Sequence, residues 1–373
     1  MTATHYDVII VGAGPAGVGL GSLFKQTGLE NFTILEKNEV GSTFLNWPKE
    51  TRLLTPSFPG HGFGLLDLNA VVPSTSPGYA YDREHLSGED YADYLKRIAD
   101  HFELPVQTGI TVERVHKENE RFFVETSSGV FQSEFVVWAG GEYQYPERHP
   151  FPGAGHCVHS SDVGSWTSVQ EGHHYIIGGY ESGIDAAYHL VLSGKEVTVL
   201  AKGEPWNNDD PDPSVSLSPF TSERLDEVID RDELTLLGDA QVAKVDKKGE
   251  RFYIHLLSGE VIESETVPFI ATGYKSSLTL IFEHFYWEDN GNVRLTESDE
   301  STVTDGLFLT GPQVKHAEVI FCFIYKFRQR FAVIAKEILV RLGLPVNDEV
   351  FNEYRKATMY LDDLSCCDNS CQC

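Results

Sequence analysis

Basic side chains are scarce in this sequence: 29 lysines and arginines stand against 56 aspartates and glutamates, for a net charge of −27. A surface of that sign repels phosphate backbones and anionic headgroups, which argues against nucleic acid and membrane surfaces as partners. The same excess of acid keeps a protein soluble. Long apolar runs are missing too, none approaching the ~18 residues of a membrane span. Met1–Thr4 leads straight into a strand without a basic, cleavable leader. A cytoplasmic protein is expected. Cysteine is nearly withheld from the body of the chain, since four of the six fall in the last eight residues. A disulfide scaffold would spread them, so that class is excluded.

What is present is the material for a core. Apolar residues make up 41% and aromatic residues 12% of 373 positions, enough for about two domains at ~150 residues each. Tyr6–Val11 (YDVIIV) is an unbroken apolar run, the pattern of a parallel strand buried on both faces. Gly12-Ala13-Gly14-Pro15-Ala16-Gly17 follows, then a helical stretch to about Thr27 stopped by Gly28. Phe32–Leu35 forms a second strand ending at Glu36. This is a βαβ unit with a dinucleotide fingerprint. The first glycine permits a tight turn, the second lets amides approach a pyrophosphate, and the third lets helix pack on strand. The helix N-terminus supplies oriented N–H groups, and Glu36 stands where a carboxylate binds ribose hydroxyls.

From Thr43 to Arg83 the chain is rich in Pro, Gly and aromatics and lacks a period, as site-forming loops are. Ser87-Gly88-Glu89-Asp90 reads as a cap for a helix over Tyr91–Phe102. An internal repeat comes next. Arg121-Phe122-Phe123-Val124 precedes Ser128-Gly129 and a strand ending at Trp138–Gly141; Arg251-Phe252-Tyr253-Ile254 precedes Ser258-Gly259 and a strand ending at Ile270–Gly273. Each copy reads as a β-meander feeding a buried strand. Between them lies a second Gly-rich unit: strand His174–Ile177, loop Gly178-Gly179-Tyr180-Glu181-Ser182-Gly183, helix to about Leu192, strand Glu196–Leu200. Tyr180 replaces the middle glycine, so a side chain would crowd the pyrophosphate or reshape the loop. Ala201 and Lys202 end the next strand in place of an acid. A lysine there suits the extra phosphate of NADP; the alternative is a solvated lysine. Asn207–Pro219 reads as a surface loop, and Ala317 to Leu342 as one long amphipathic helix.

The expected architecture is α/β: two Rossmann-like FAD/NAD(P)-binding domains of the three-layer ββα type, the second inserted into the first. The expected boundaries are 1–160 and 276–345 for the FAD domain, 161–275 for the NAD(P) domain, and 346–373 for a tail.

These two loops, the strand ends at Ala139-Gly140-Gly141 and Ala271-Thr272-Gly273, and the segment Thr304–Pro312 (TDGLFLTGP) resemble the two-dinucleotide-binding-domain flavoproteins. That family includes thioredoxin reductases, bacillithiol-disulfide-reductase-like proteins and flavin-containing monooxygenases, and the likeness runs from Tyr6 to about Leu342. It implies that Gly12, Gly14, Pro15, Ala16, Gly17 and Glu36 hold FAD, with Lys37, Asn46, Trp47, Val112, Gly140, Gly311 and His316 as further contacts. The family's Gly-Asp at the ribityl chain falls on Gly311 and Pro312, so the aspartate is missing. For NADPH the implied contacts are Gly178, Glu181, Ser182, Gly183, Lys202, Thr272 and Gly273.

The branch of the family is read from what replaces its cysteines. Phe44 and Lys49 stand where dihydrolipoamide-type reductases carry a Cys pair, and the thioredoxin-reductase C-x-x-C is absent. Neither standard disulfide relay can operate without thiolates. Gly155, His159 and Ser160 match the GxxxHS core of the flavin-containing monooxygenases, whereas Gly153 and Val163 replace its flanking aromatics. The other reading of His159 is a histidine hydrogen-bonded in a turn. Cys157 and Cys322 read as small core residues. The tail, Cys366, Cys367, Cys371 and Cys373, offers a redox arm, a soft-metal site or an inert end. The implied function is an FAD-dependent NADPH oxidoreductase of the monooxygenase kind acting on a small nucleophile. The alternatives are a thiol, disulfide or metal-ion reductase working through the tail, and a non-enzymatic redox or metal-handling flavoprotein.

Overall fold

A computed structural model describes residues 5–58 and 67–365. The chain divides into two compact units. The first takes the chain up to Leu45, Pro56–Glu142 and the chain from Ser276 onward; the second takes Asn46–Thr55 and Tyr143–Lys275. The second is therefore inserted into the first. Among the described residues no helix is long and apolar enough to cross a membrane.

In the first unit β1 (His5–Val11) is followed by the helix Pro15–Thr27 and β2 (Phe32–Leu35). All four residues of β2 are buried, which is why the run carries no polar alternation. The helix Gly88–His101 begins on a capping box: Ser87 Oγ accepts from the Asp90 amide and Asp90 Oδ2 accepts from the Ser87 amide. Strands β3 (Val106–Gln107), β4 (Val112–Glu118), β5 (Arg121–Thr126) and β6 (Gly129–Trp138) follow. β3, β2, β1 and β6 are parallel neighbours in that order, while β4–β5–β6 form an antiparallel meander.

The second unit holds β7 (Val158–His159), β8 (His173–Ile177), the helix Glu181–Leu192, β9 (Glu196–Leu200), β10 (Leu234–Leu237), β11 (Val242–Lys248), β12 (Arg251–Leu256), β13 (Val261–Ser264) and β14 (Phe269–Ile270). Its parallel sheet has the order β10-β9-β8-β14-β7, and β11–β12–β13 form its own meander. Ile177, Leu200 and Ile270 pack on Val245, Ile254 and Leu256 of the meander. Ile176, Val197, Val199 and Phe269 pack on Ile184, Ala187 and Leu190 of the helix. Alternate residues of one sheet thus cover two layers, the ββα arrangement expected. The duplication extends to detail: the register shifts between Val112 and Arg114 in one meander and between Val242 and Lys244 in the other.

The chain then returns to the first unit with β15 (Tyr286–Trp287), β16 (Val293–Arg294) and β17 (Leu307–Leu309), the last pairing parallel to β6. β18 (Lys315–His316) and β19 (Val319–Ile320) make a hairpin.

Four expectations are corrected. The first junction stands at Glu142, not 160, because Tyr143–Glu147 runs along the end of β14: Glu147 N donates to Gly273 O at 2.9 Å and Lys275 N to Tyr145 O at 2.7 Å. β7 also pairs with β14. Asn46 and Trp47 belong to the second unit, held through Glu50, which accepts from Ser165 Oγ, Trp166 N and Thr167 Oγ1. The single helix over 317–342 is replaced by the hairpin, a short helix Ile324–Phe327 and a helix Phe331–Arg341. Ala317 turns the hairpin at φ 48°, and β-branched Val319 and Ile320 favour a strand. Finally, the described part of the stretch after 345 is packed: Asp348–Lys356 is a helix that buries Phe351 and Tyr354, and Met359 is buried too.

Candidate cofactor sites

β1, β2, β6 and β17 run parallel, so their C-terminal ends emerge at one edge of the first sheet. Ligands of open parallel sheets sit at that edge where the strand order reverses. β1 lies between β2 and β6, which puts the loop after it at the reversal. Gly12 has φ 107°, and a Cβ on it would stand 2.5 Å from the carbonyl oxygen of Ala139. A Cβ on Gly17 would stand 1.9 Å from the carbonyl oxygen of Gly12. Gly14, between them, has nothing within 4 Å of that position. The loop is pressed onto the sheet at both ends and open in the middle. Pro15 starts the helix, no side chain caps it, and the amides of Ala16 and Gly17 have no acceptor within the helix.

Glu36 is buried, and its carboxylate accepts from Ala13 N and Asn38 N, at 2.8 Å each. Every carboxylate oxygen has a second lone pair, so Glu36 braces the loop and still has acceptors for ribose hydroxyls. Lys37 beside it is exposed. Gly311, at φ 104°, carries its turn to within van der Waals reach of Ala16 Cβ, 3.6 Å from an added Cβ. Gly140 is hemmed in by Trp138 and Ser277, whose Nε1 and Oγ are hydrogen-bonded at 2.9 Å. Gln313 Nε2 donates to Ser276 Oγ at 2.7 Å. This polar group, unforeseen from the sequence, follows Gly311 and Pro312 where the family's aspartate is missing. An open glycine, an uncapped helix start and a carboxylate with free lone pairs together fit FAD. Two other expected contacts stand on different segments: Val112 pairs with Thr126 in the meander, and His316 lies in the hairpin, its Nε2 donating to Asp299 Oδ1 at 2.5 Å.

In the second unit Gly178, at φ 119°, approaches the carbonyl oxygen of Ala271, 2.3 Å from an added Cβ. Gly183 approaches that of Gly178 at 1.9 Å. These are the contacts of Gly12 and Gly17 repeated. Tyr180 adopts ordinary extended backbone (φ −96°), and its hydroxyl donates to Ser216 O at 2.6 Å. Glu181 accepts from Ser218 N and Thr221 Oγ1, at 2.5 Å each, and burial pushes its carboxyl above the ordinary range. Trp206 lies against Gly179. The surface loop expected over 207–219 is therefore strapped onto the glycine loop. Ser182 and Lys202 are exposed. Thr272 Oγ1 donates to Glu147 O at 3.1 Å, and Gly273 O accepts from Glu147 N.

His159 is the buried last residue of β7, paired with Ile270 of β14. Ser161 N donates to its Nδ1 at 3.1 Å, which leaves the proton on Nε2, facing Gly273 O at 3.2 Å. Both ring nitrogens are engaged, Nδ1 locally by Ser161 and Nε2 by Gly273 beyond β14, and burial lowers the pKa. Cys157 is half-buried, and burial pushes its thiol up to about 12, the opposite of a reactive thiolate. Cys366, Cys367, Cys371 and Cys373 lie outside the described residues. Sequence reasoning missed two buried hubs of the first unit. Asp67 accepts from Ser57 Oγ, Asn69 N, Ser76 Oγ and Gly78 N, while Arg328 Nη1 donates to the carbonyls of Asp67 and Ala70. Asp299 is bound by Arg330 at 2.9 Å. Isolated polar letters carry no periodicity, so neither was legible.

A family model described as pyridine nucleotide-disulphide oxidoreductase matches residues 9–311. The chain belongs to that family. It is a family of FAD-dependent oxidoreductases. The chain is 25% identical over 356 residues to the bacilliredoxin reductase Bdr of Bacillus subtilis, covering 89% of this chain and 97% of that one. It is 30% identical over 192 residues to an oxidoreductase described as CzcO-like from Geobacillus kaustophilus, 49% of this chain and 51% of that relative. The match thus spans about half the length of the CzcO-like protein. A flavin-containing monooxygenase from Stenotrophomonas maltophilia shares the fold at a TM-score of 0.71 and 16% identity, covering 91% of this chain and 99% of that one. Family membership establishes the flavoprotein class; disulfide reductases and monooxygenases alike use the fold.

Proposed function

We propose that this protein is an NADPH oxidoreductase that passes electrons through FAD to oxygen and a small nucleophilic substrate. The observation that carries it is the repeated backbone contact pattern of Gly12 and Gly17 in one unit and Gly178 and Gly183 in the other. It comes with no cysteine pair among the described residues. Two dinucleotide cradles with no dithiol among the described residues suit an enzyme whose acceptor is not a disulfide. When bound, the flavin supplies the hydride-accepting and electron-passing chemistry. The protein's share is placement. Gly14 and the amides of Ala16 and Gly17 take the pyrophosphate, Glu36 takes the ribose, and the turn at Gly311 and Pro312 lies along the ribityl chain. In the second unit the Gly178–Gly183 loop takes the nicotinamide dinucleotide and Lys202 its extra phosphate.

The test is anaerobic mixing of the yellow protein with NADPH and with NADH, following flavin absorbance. Faster bleaching by NADPH supports the reading, and oxygen uptake on readmitting air identifies the acceptor. No bleaching by either nucleotide overturns it. Similarity to Bdr along almost the whole chain favours one alternative, a thiol reductase relayed through the terminal cysteines. For that enzyme, replacing Cys366 and Cys367 by serine abolishes turnover while FAD stays bound.

A further inference from the structure

The Tyr286–Arg294 hairpin and the segment 315–317 line a cavity of about 190 Å³ in the first unit. None of the glycine-loop residues, nor Glu36 or Gly311, lines it, and of the expected FAD contacts His316 alone does. Its walls carry Arg294, Lys315 and His316, the amides Asn290 and Asn292, and one acid, Glu288. That acid is already engaged. Arg294 Nε donates to Glu288 Oε1 at 3.2 Å, and the guanidinium lies 4.7 Å from the Tyr286 ring, so the pair is held and mutually neutralised. The Lys315 ammonium has no ion pair or hydrogen bond among the described residues.

His316 is built into the wall. Its Nε2 donates to Asp299 Oδ1; Asp299 is fully buried and takes Arg330 Nε at 2.9 Å and Nη2 at 3.1 Å. Arg330 is itself fully buried, and its Nη1 donates to Leu361 O at 2.5 Å. This chain of bonds fixes the ring and leaves Nδ1 without a partner among the described residues. Asp299 holds its backbone at φ 63° to make the arrangement, a conformation with a steric cost for a non-glycine residue.

The side chains lining the cavity, with one uncompensated ammonium, a braced imidazole and two amides, sum to one positive charge on a chain of net charge −27. Such a local reversal of sign draws small anions out of a field that otherwise repels them. We propose that this cavity binds a small anion bearing a carboxylate or phosphate group. Lys315 is its charge partner, and His316 and Arg294 are its oriented contacts. The volume falls below the ~300 Å³ of drug-sized pockets, so the ligand is a compact acid rather than a nucleotide. The inference does not depend on the proposed electron acceptor.

The experiment is isothermal titration of the FAD-loaded full-length protein with inorganic phosphate and, separately, with acetate. Saturable binding of one or both is expected, and whichever binds more tightly identifies the headgroup. Lys315→Ala and Lys315→Gln are expected to weaken it at least tenfold, while flavin absorbance and melting temperature stay at wild-type values. Lys96→Ala removes an exposed lysine paired with Asp100 on the Gly88–His101 helix and is expected to leave binding unchanged. The proposal is overturned by an absence of saturation for both anions up to about 20 mM, well beyond millimolar affinity. Equal affinity in the wild type and both Lys315 variants overturns it as well.

Discussion

The hydroxyl of Tyr180 donates to the carbonyl oxygen of Ser216 at 2.6 Å, joining the residue in the second glycine's place to a segment that carries Asp209, Asp210 and Asp212. Glu181 adds the bonds to Ser218 and Thr221. The second glycine loop is thereby strapped, whereas the first is open at Gly14. If a nicotinamide nucleotide enters past this strap, opening it costs about the worth of the Tyr180 bond, ~0.5–1.5 kcal/mol. Tyr180→Phe is then expected to bind NADPH about two- to tenfold more tightly, as read by calorimetry. An unchanged dissociation constant would show that the strap does not lie on the nucleotide's path.

Glu36 accepts the Ala13 and Asn38 amides. Hydrogen bonds to a charged partner are worth about 1.5–3 kcal/mol, so Glu36→Ala is expected to weaken FAD binding roughly ten- to hundredfold. Flavin retention on gel filtration and fluorescence titration of the apoprotein measure it; a variant that stays fully yellow at nanomolar concentration contradicts the role.

Asp185 is buried, and burial alone would push its carboxyl up. The hydrogen bond from His189 and the guanidinium of Arg224, 2.7 Å away, override this and hold it below its ordinary value of 3.8. The folded state therefore releases this proton more readily than the unfolded chain. The stabilisation is complete above the ordinary value and is lost as pH falls through the folded one. Urea unfolding at stepped pH is expected to show wild type losing stability more steeply than Asp185→Asn below about pH 4. Parallel acid limbs would count against it.

Asp299 and Arg330 are both fully buried and paired. Removing one partner leaves an uncompensated charge, so Asp299→Asn is expected to cost about 3–5 kcal/mol of stability. Replacing both by apolar residues of similar volume is expected to recover most of that loss. A single variant within 1 kcal/mol of wild type, by the scale of surface substitutions, would mean that water reaches Arg330.

The sequence by itself determined both βαβ units, because buried parallel strands write unbroken apolar runs and the glycines between them write close backbone approaches. Gly12, Gly17, Gly178 and Gly183 could be assigned from spacing alone, and the Arg121 and Arg251 meanders matched down to the register shift. Other features belong to the tertiary structure. The unit boundary near Glu142 depends on which strand Tyr143–Glu147 runs beside, and that is a pairing between residues far apart in the chain. Ala317 breaks an apparently helical pattern because hairpin pairing of His316 with Val319 outweighs a weak local preference. The strap on Tyr180, the hub at Asp67 and the Asp299–Arg330 pair rest on single polar side chains. A polar residue reads alike whether solvated or buried, and only the partner that folding brings within hydrogen-bond distance decides which it is.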